Sequence, residues 1–459
     1  MGRRSGASSV AMIGLCGCVN AQEVQTGCGP LPEGVEAAAP PETTPSNVLL
    51  IVLDDVGPEL IGSYGVQPDA PPTPHIDALA AEGVRFTHAW QDPWCSPSRA
   101  MMMTGRHARR YGIGRAIEPF TGDTMLPAEE VTIAELLRDE SPWDVQRALI
   151  GKWHLSSGSG GLDAPRESGF DHFSGTLANL DRKHAFDGKN QTYFDWEHIQ
   201  DGVLERQQGY ITSATVDDVL AWTSVTSEPW FLWVGFHSAH TPWHSPPTDL
   251  QTYGDVSEED TPTKVRVMVQ AMDTEIGRLL EGLGPEVRAR TNVIVVGDNG
   301  TTIEAGVGEF AGQMGKSTVL EHGLRVPLIV RGPAVIDGGR AVDALVQGTD
   351  LYRTLAELGG VDLTNVGLTL DSVSLLPYLR DAATPPAPKL DLRRGLRAER
   401  RSQREREGRA RRDGRSVQAV EAQRRGVVHR AGGSPAGVAG PARDSAARAT
   451  GVPRARRRA

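Results

Sequence analysis

The chain has 459 residues, of which 39% are hydrophobic and 23% are charged, and its formal net charge is −10. These values are ordinary for a globular protein, and the length exceeds what one hydrophobic core usually supports. One large domain with a smaller appendage, or two domains, is therefore expected. A run of about 18 apolar residues is absent from the sequence, which predicts no membrane span.

Residues 1–21 have the features of an export signal. Arg3 and Arg4 give a basic start, and a short, weakly apolar stretch follows. The tripeptide VNA, which ends at residue 21, resembles a signal peptidase site, whereas LCGC resembles a lipoprotein box with Cys18 as the lipid-bearing residue. Export to the periplasm or the extracellular space is predicted, either free or with a lipid anchor at Cys18. The alternative to an export signal is a disordered leader with no targeting function.

Residues 22–46 are predicted to be a proline-rich linker, and the folded body is expected over residues 47–380. Cys16, Cys18 and Cys28 precede this body, so Cys95 is the only thiol within it. No disulfide framework is therefore available to the body. A lone cysteine is most often a small, inert hydrophobic residue, so its neighbours decide its role.

Residues 381–459 are rich in arginine and contain no aromatic residue. Such a composition cannot bury enough apolar surface to offset chain entropy, which predicts disorder. A basic arm for nucleic acid or an acidic surface is one interpretation. A frameshift near residue 390 is favoured over it, because arginine, alanine, glycine and proline are what GC-rich codons give out of frame.

Strand and helix signals alternate through the body. A continuous apolar run over residues 47–53 predicts a strand buried on both faces of a parallel sheet. The alternation predicts an α/β fold with a large, mostly parallel sheet and helices on both of its faces. Further strands are predicted at 148–150, 230–234, 292–296 and 326–330, and helices at 75–83, 131–139, 264–283 and 351–358.

Two of these strands run into acidic turns. Asp54 and Asp55 follow the first strand, and Asp298 and Asn299 follow the strand at 292–296. Ligands of open α/β sheets bind beyond the carboxyl ends of the strands, so these oxygen atoms are expected to surround one point. A cation must then neutralise the carboxylates, and an all-oxygen set suits Ca²⁺ or Mg²⁺ rather than Zn²⁺. Either turn alone is more often only a turn.

The segment around Cys95 reads CSPSRAMMMTGR. Ser96 and Pro97 are residues that begin helices, and Gly105 is one that ends them, so Cys95 is expected at a helix N-terminus. Unpaired N–H groups and the helix dipole would there stabilise a thiolate or an anionic ester.

This segment resembles the signature of the sulfatases, Cys-x-Pro-Ser-Arg followed by Thr-Gly-Arg. Other segments similar to that family follow in order: GKWHL with Lys152 and His154, FHSAHTP with His240, DNG with Asp298, and KSTVLEHGLRVP with Lys316. The resemblance covers about residues 46–380. A further segment, RESGFDHFSG, is closest in character to arylsulfatase B and the N-acetylgalactosamine sulfatases.

The chain departs from the family pattern at Ser156 and His322, where glycine is usual, and neither residue is an inferred ligand. A zinc site made of the nearby histidines His237, His240 and His244 is disfavoured, because a proline separates them and prevents a shared helical face.

The resemblance implies an alkaline-phosphatase-like fold and a Cys95 that a maturation enzyme oxidises to formylglycine. It implies Ca²⁺, with Mg²⁺ as the weaker choice, bound by Asp54, Asp55, residue 95, Asp298 and Asn299. The catalytic residues that it implies, besides Cys95, are Arg99, Lys152, His154, His240 and Lys316.

The resemblance also assigns roles to these side chains. Asp298 acts as base toward the attacking hydroxyl of residue 95, and His240 protonates the leaving oxygen. His154 accepts a proton when sulfate is expelled. Arg99 and Lys152 hold the aldehyde hydrate, and Lys152 and Lys316 hold the sulfate.

The implied function is hydrolysis of sulfate monoesters, with a sulfated small molecule or glycan as substrate and no nucleic-acid partner. Two alternatives stay open. One is a hydrolase of phosphate or phosphonate esters on the same fold, and the other is an inactive product that only binds sulfated ligands. The match fades after residue 377, so the family's smaller C-terminal subdomain is expected to be truncated or replaced.

Overall fold

The computed structural model describes residues 44–384, apart from 119–123, 157, 182–184, 255, 258–259, 307–311, 313–314 and 365. The predicted leader, most of the proline-rich linker, Cys16, Cys18, Cys28 and the arginine-rich tail after residue 384 lie outside the described residues. Within the described residues, no helix has the length and apolar character needed to cross a membrane.

Strands and helices alternate along the described part of the chain. The strands are β1 (Asn47–Leu53), β2 (Val84–Trp90), β3 (Gln146–Lys152), β4 (His172–Thr176), β5 (Asp195–Gln200), β6 (Val203–Gln208), β7 (Trp230–Gly235), β8 (Thr291–Gly297), β9 (Arg325–Arg331) and β10 (Arg340–Gln347). The helices are α1 (Pro74–Glu82), α2 (Cys95–Thr104), α3 (Ile133–Glu140), α4 (Ala164–Glu167), α5 (Ile211–Val225), α6 (Thr261–Gly282), α7 (Gly284–Ala289), α8 (Glu321–Leu324), α9 (Thr349–Leu358) and α10 (Leu376–Arg380).

The strands form one sheet in the order β10-β2-β9-β8-β1-β7-β3-β4-β5-β6. The five central strands, β8, β1, β7, β3 and β4, are parallel to one another. β9 is antiparallel to β8 and β2, and β5 is antiparallel to β4 and β6. The prediction of a mostly parallel sheet is therefore confirmed, with antiparallel strands placed toward its edges.

Both faces of the sheet are covered. Leu49, Ile51 and Leu53 of β1 pack into a hydrophobic cluster with residues of α1, α5 and α6. Leu50 and Val52 are also fully buried but lie outside that cluster. Because alternate residues of a strand point to opposite faces, these two are covered from the other side. Each such side chain contributes about 1.5–3 kcal/mol to folding.

Three glycines allow close approach of the strands that lead into the functional site. Gly151 of β3 pairs with Gly235 of β7 on one side and with Gly175 of β4 on the other. Its φ is 99°, and a Cβ added to it would lie 2.1 Å from the carbonyl oxygen of Gly235. Glycine is therefore required at 151 both by conformation and by space.

We expect Gly151→Ala to lower the free energy of unfolding by about 3 kcal/mol or more, because the methyl group overlaps backbone and the positive φ is strained for alanine. Urea unfolding measures this change. Gly114→Ala is the matched control, since a Cβ there meets no atom within 4 Å. Equal stability of the two variants would contradict the close approach of β3 and β7.

Candidate active site

The carboxyl ends of the central strands bring the predicted acidic residues together. Asp54 and Asp55 directly follow β1, and Asp298 and Asn299 directly follow the adjacent β8. The Asp55 backbone N–H donates to Asp298 Oδ1 at 3.3 Å, and Asn299 Nδ2 donates to Asp55 Oδ1 at 2.8 Å. The expected convergence of these residues is found, and all of them are buried.

Three cations from other elements face this acidic group. Lys152, the last residue of β3, forms an ion pair with Asp54, and Lys316 forms one with Asp55. Although burial favours the neutral acid, Lys152 holds the pKa of Asp54 well below its ordinary range. Paired in this way, the Asp54 carboxylate stays ionised inside the protein.

Arg99 joins the two strand ends from the first turns of α2. Its Nη2 and Nε donate to Asp298 Oδ2 at 2.9 and 3.1 Å, and its Nη2 lies 3.8 Å from Asp54 Oδ2. Its Nη1 donates to the carbonyl oxygen of Lys152 at 2.9 Å. Arg99 is fully buried and sets the relative positions of β1, β3 and β8 at the site.

Cys95 is the first residue of α2, as expected, and Gly105 ends the helix with a left-handed φ of 67°. Ser96 and Pro97 lie within the helix rather than before it, and the preceding Trp94 makes no side-chain cap. The Ser96 hydroxyl instead accepts a hydrogen bond from the backbone N–H of Ile117 at 2.9 Å.

The prediction that the helix N-terminus stabilises a thiolate at Cys95 is wrong. Burial raises the pKa of the Cys95 thiol to about 12, and the nearby Lys152 and Lys316 offset only part of this effect. Its Sγ lies 3.4 Å from Lys316 Nζ. Desolvation outweighs the attraction of the two lysines at this fully enclosed position, so the unmodified thiol is a poor nucleophile at neutral pH.

Two of the predicted histidines reach the site from loops that follow β3 and β7. His240 is partly exposed, and its Nδ1 contacts the Thr241 carbonyl oxygen at 2.8 Å. His154 is fully buried, has a left-handed φ of 61°, and contacts the Ile117 carbonyl oxygen through Nε2 at 3.1 Å. Because the Ile117 N–H also donates to the Ser96 hydroxyl, Ile117 links His154 to the first turn of α2.

One group of potential metal ligands occurs in the part of the chain that the structure describes. Single ligand atoms of Asp54, Asp55, Cys95 and His240 lie within 4.8 Å of one another. His240 was predicted as a catalytic residue and not as a ligand, and His237 and His244 are not part of this group. A zinc site of three histidines is therefore not found among the described residues.

Buried oxygen atoms at the strand ends fit a divalent cation. Asp54 Oδ1 and Asn299 Oδ1 are both buried and have no hydrogen-bond partner among the described residues. An unsatisfied buried acceptor costs about 1–3 kcal/mol, and a charged one costs more. A cation bound next to these atoms would satisfy both, and oxygen ligands suit Ca²⁺ or Mg²⁺.

Asp298 is a carboxyl group of this site whose pKa lies near neutral pH. Burial and the adjacent Asp54 carboxylate raise the pKa of Asp298 to about 7, while Arg99 acts in the opposite direction. Such a shift in a buried, charged cleft is typical of catalytic sites.

The sequence interpretation missed Tyr193, a residue that contacts the loop carrying His240. Tyr193 precedes β5, and its hydroxyl shares its one hydrogen between the carbonyl oxygens of His237 and His240, at 2.5 and 2.7 Å. It belongs to none of the recognised motifs, and nothing in its local sequence indicates this contact.

Comparison with known proteins relates this chain to the sulfatases. A family model described as Sulfatase matches residues 46–361. Arylsulfatase A of Bos taurus is 32% identical over 381 residues, which cover 78% of this chain and 71% of the relative. N-acetylgalactosamine-6-sulfatase of Canis lupus familiaris is 28% identical over 379 residues, which cover 75% and 68% of the two chains.

A solved structure, that of Ps i-CgsB in complex with k-i-k-neocarrahexaose, superimposes with a TM-score of 0.62 and 27% identity, covering 73% of this chain and 76% of that chain. The chain therefore belongs to the sulfatase family. It is an enzyme of the class that hydrolyses sulfate esters, and the predictions of family and fold are confirmed.

Proposed function

We propose that this protein is an exported hydrolase of sulfate monoesters of carbohydrates that acts with a formylglycine made from Cys95 and with bound Ca²⁺. The observation that carries the proposal is the juxtaposition of a buried, weakly acidic thiol with paired carboxylates whose spare oxygens suit a cation. Export is supported by the sequence of residues 1–21, with the choice between a free and a lipid-anchored form at Cys18 left to experiment.

The residues of the site fit both groups that the family implies, a bound Ca²⁺ and a formylglycine at position 95. A bound Ca²⁺ would be held by Asp54, Asp55, Asp298 and Asn299, and it would supply positive charge to the sulfuryl oxygens. The aldehyde hydrate of residue 95 would supply the attacking oxygen. A maturation enzyme that forms the aldehyde is therefore a partner of this chain.

Lys152 and Lys316 bind the sulfate group in this proposal. Burial disfavours the charged form of Lys316, but the adjacent Asp55 and Cys95 raise its pKa above the ordinary value, so it keeps its charge. Charged donors fixed in a buried site stabilise developing negative charge more strongly than they would in water, each by about 3–4 kcal/mol.

His240 protonates the leaving oxygen. Although His240 is partly exposed, the loss of much of the water around its ring, followed by the charge of Lys316, lowers its pKa to about 4 before substrate binds. An anionic sulfate held between the lysines raises that pKa, because a negative charge next to imidazole favours the protonated form. Substrate binding therefore prepares His240 to act as a general acid.

Asp298 and His154 handle the protons of residue 95. Asp298 accepts the proton of the attacking hydroxyl while Arg99 holds its carboxylate in place. His154, oriented by its contact with Ile117, accepts the proton of the second hydroxyl when sulfate leaves.

A carbohydrate substrate is supported by two relatives. One is an N-acetylgalactosamine-6-sulfatase, and the other was solved in complex with an oligosaccharide. The site itself selects the ester group, while the sugar is recognised by the loops around it.

We expect the matured full chain to hydrolyse 4-nitrophenyl sulfate with a kcat/KM at least about 100-fold above that for 4-nitrophenyl phosphate, a difference of roughly 3 kcal/mol in activation free energy. Sulfate release from sulfated mono- and disaccharides tests the substrate class. Cys95→Ala, purified in parallel, controls for host enzymes. A preference for the phosphate would favour the related ester hydrolases, and no turnover at all would favour an inactive binder.

A further inference from the structure

The loop after β7 carries His240, and two parts of the protein fix its backbone. The backbone of Asp54 holds the middle of the loop: its N–H donates to the Ser238 carbonyl at 3.1 Å, and its carbonyl accepts from the Ala239 N–H at 2.6 Å. The Tyr193 hydroxyl holds both ends through the carbonyls of His237 and His240.

Among the described residues, the other hydrogen bonds of His240 are local. Its N–H donates to the His237 carbonyl at 2.8 Å, and its Nδ1 contacts the Thr241 carbonyl at 2.8 Å. Tyr193 lies 47 residues away in sequence and is therefore the side chain that ties His240 itself to another part of the fold.

Tyr193 is rigid and remains a hydrogen-bond donor. Its ring is buried with its centroid 4.2 Å from the His244 ring and 6.2 Å from the Tyr210 ring, and its carbonyl accepts from the Ile211 N–H at 2.9 Å. Burial, together with the nearby Asp54 carboxylate, holds the pKa of Tyr193 well above its ordinary value. The hydroxyl therefore keeps the proton that it donates to the loop.

We propose that Tyr193 is a positioning residue that aims His240 at the leaving oxygen of the ester. The proposal rests on the function assigned to His240 above. Small errors in the placement of a catalytic group, about 1 Å, can reduce the rate about 100-fold. Tyr193 does not contact the sulfate ester in this proposal, and its influence passes through the backbone carbonyl of His240.

Leaving-group dependence separates positioning from simple support of the fold. A general acid matters most when the leaving group is a poor one, such as phenol, and little when it is 4-nitrophenol. We expect Tyr193→Phe to lower kcat for phenyl sulfate by about 10–100-fold, to lower it by less than about 3-fold for 4-nitrophenyl sulfate, and to change KM little. The ratio of the two rates is independent of the fraction of folded enzyme.

The variant His240→Ala measures how much the rate on phenyl sulfate falls when the proposed general acid is removed. The double variant Tyr193→Phe/His240→Ala should be no slower on phenyl sulfate than His240→Ala alone, because the two residues act as one unit. Tyr210→Phe is the matched control, since it removes a neighbouring buried hydroxyl that does not bond to the carbonyl of His237 or His240, and it should leave the ratio unchanged.

Equal losses on both substrates, or additive effects in the double variant, would overturn the positioning role and leave Tyr193 as a structural residue. A wild-type chain that does not cleave either sulfate would contradict the proposed function itself, so the two failures are distinguishable.

Discussion

Sulfate ester hydrolysis will fall by at least about 10⁴-fold when Cys95 is replaced by alanine, a loss comparable to removal of a catalytic nucleophile. The wild-type chain produced without a maturation enzyme will be similarly inactive. Burial raises the pKa of the Cys95 thiol to about 12, so the thiolate is scarce at pH 7. This scarcity supports the oxidised form of residue 95, rather than its thiol, as the proposed nucleophile.

Mass spectrometry of the peptide that contains residue 95, compared with the measured activity of the same sample, tests this expectation. Activity should rise in proportion to the fraction of aldehyde. Met102→Leu, a nearly volume-conserving change of a buried residue in the same helix, should retain activity and controls for damage to α2. A fully active sample with an intact thiol would disprove the mechanism.

Asn299→Ala should remove most of the stabilisation that Ca²⁺ gives to the protein. At 100 times its Kd, a cation that binds only the folded state adds about 2.7 kcal/mol, or roughly 5 °C in melting temperature for a domain of this size. Asn299 contributes the buried, unpartnered Oδ1 that faces the proposed cation. We also expect kcat/KM to fall about 100-fold or more, because the charge at the sulfuryl oxygens is lost.

Thermal melting with Ca²⁺ and with a chelator measures the effect. Asn292, near the start of the same strand β8, is the matched control. Each asparagine is buried, and each side chain makes two hydrogen bonds, so both variants lose similar intrinsic stability. Only Asn299→Ala should lose the Ca²⁺-dependent shift. An unchanged shift would place the cation elsewhere.

The sequence predicted the central part of the fold well, because long, uniformly apolar strands have few alternatives. The run at 47–53 coincides with β1, and the helix at 264–283 lies within three residues of α6 at its start and one at its end. The edge strands were missed. β6, for example, is mostly polar and partly exposed, and it forms because β5 offers it an edge to pair with, which no local pattern reveals.

The candidate site was predicted where the chemistry is encoded in short motifs. The strand-end carboxylates converge as expected because parallel neighbours must end at the same edge of the sheet. The pKa of Cys95 was predicted in the wrong direction because its burial depends on the whole domain. Tyr193 was missed because a tyrosine hydroxyl acting on a distant carbonyl leaves no trace in local sequence.

The enclosure of residue 95 constrains the order of events in the life of the protein. All ten residues of α2, from Cys95 to Thr104, are buried, and Cys95 itself is 1% exposed. A maturation enzyme cannot bind this segment once the protein has folded and the segment is buried. The proposed oxidation is therefore expected on the nascent or unfolded chain, and a molecule that folds unmodified is expected to stay inactive.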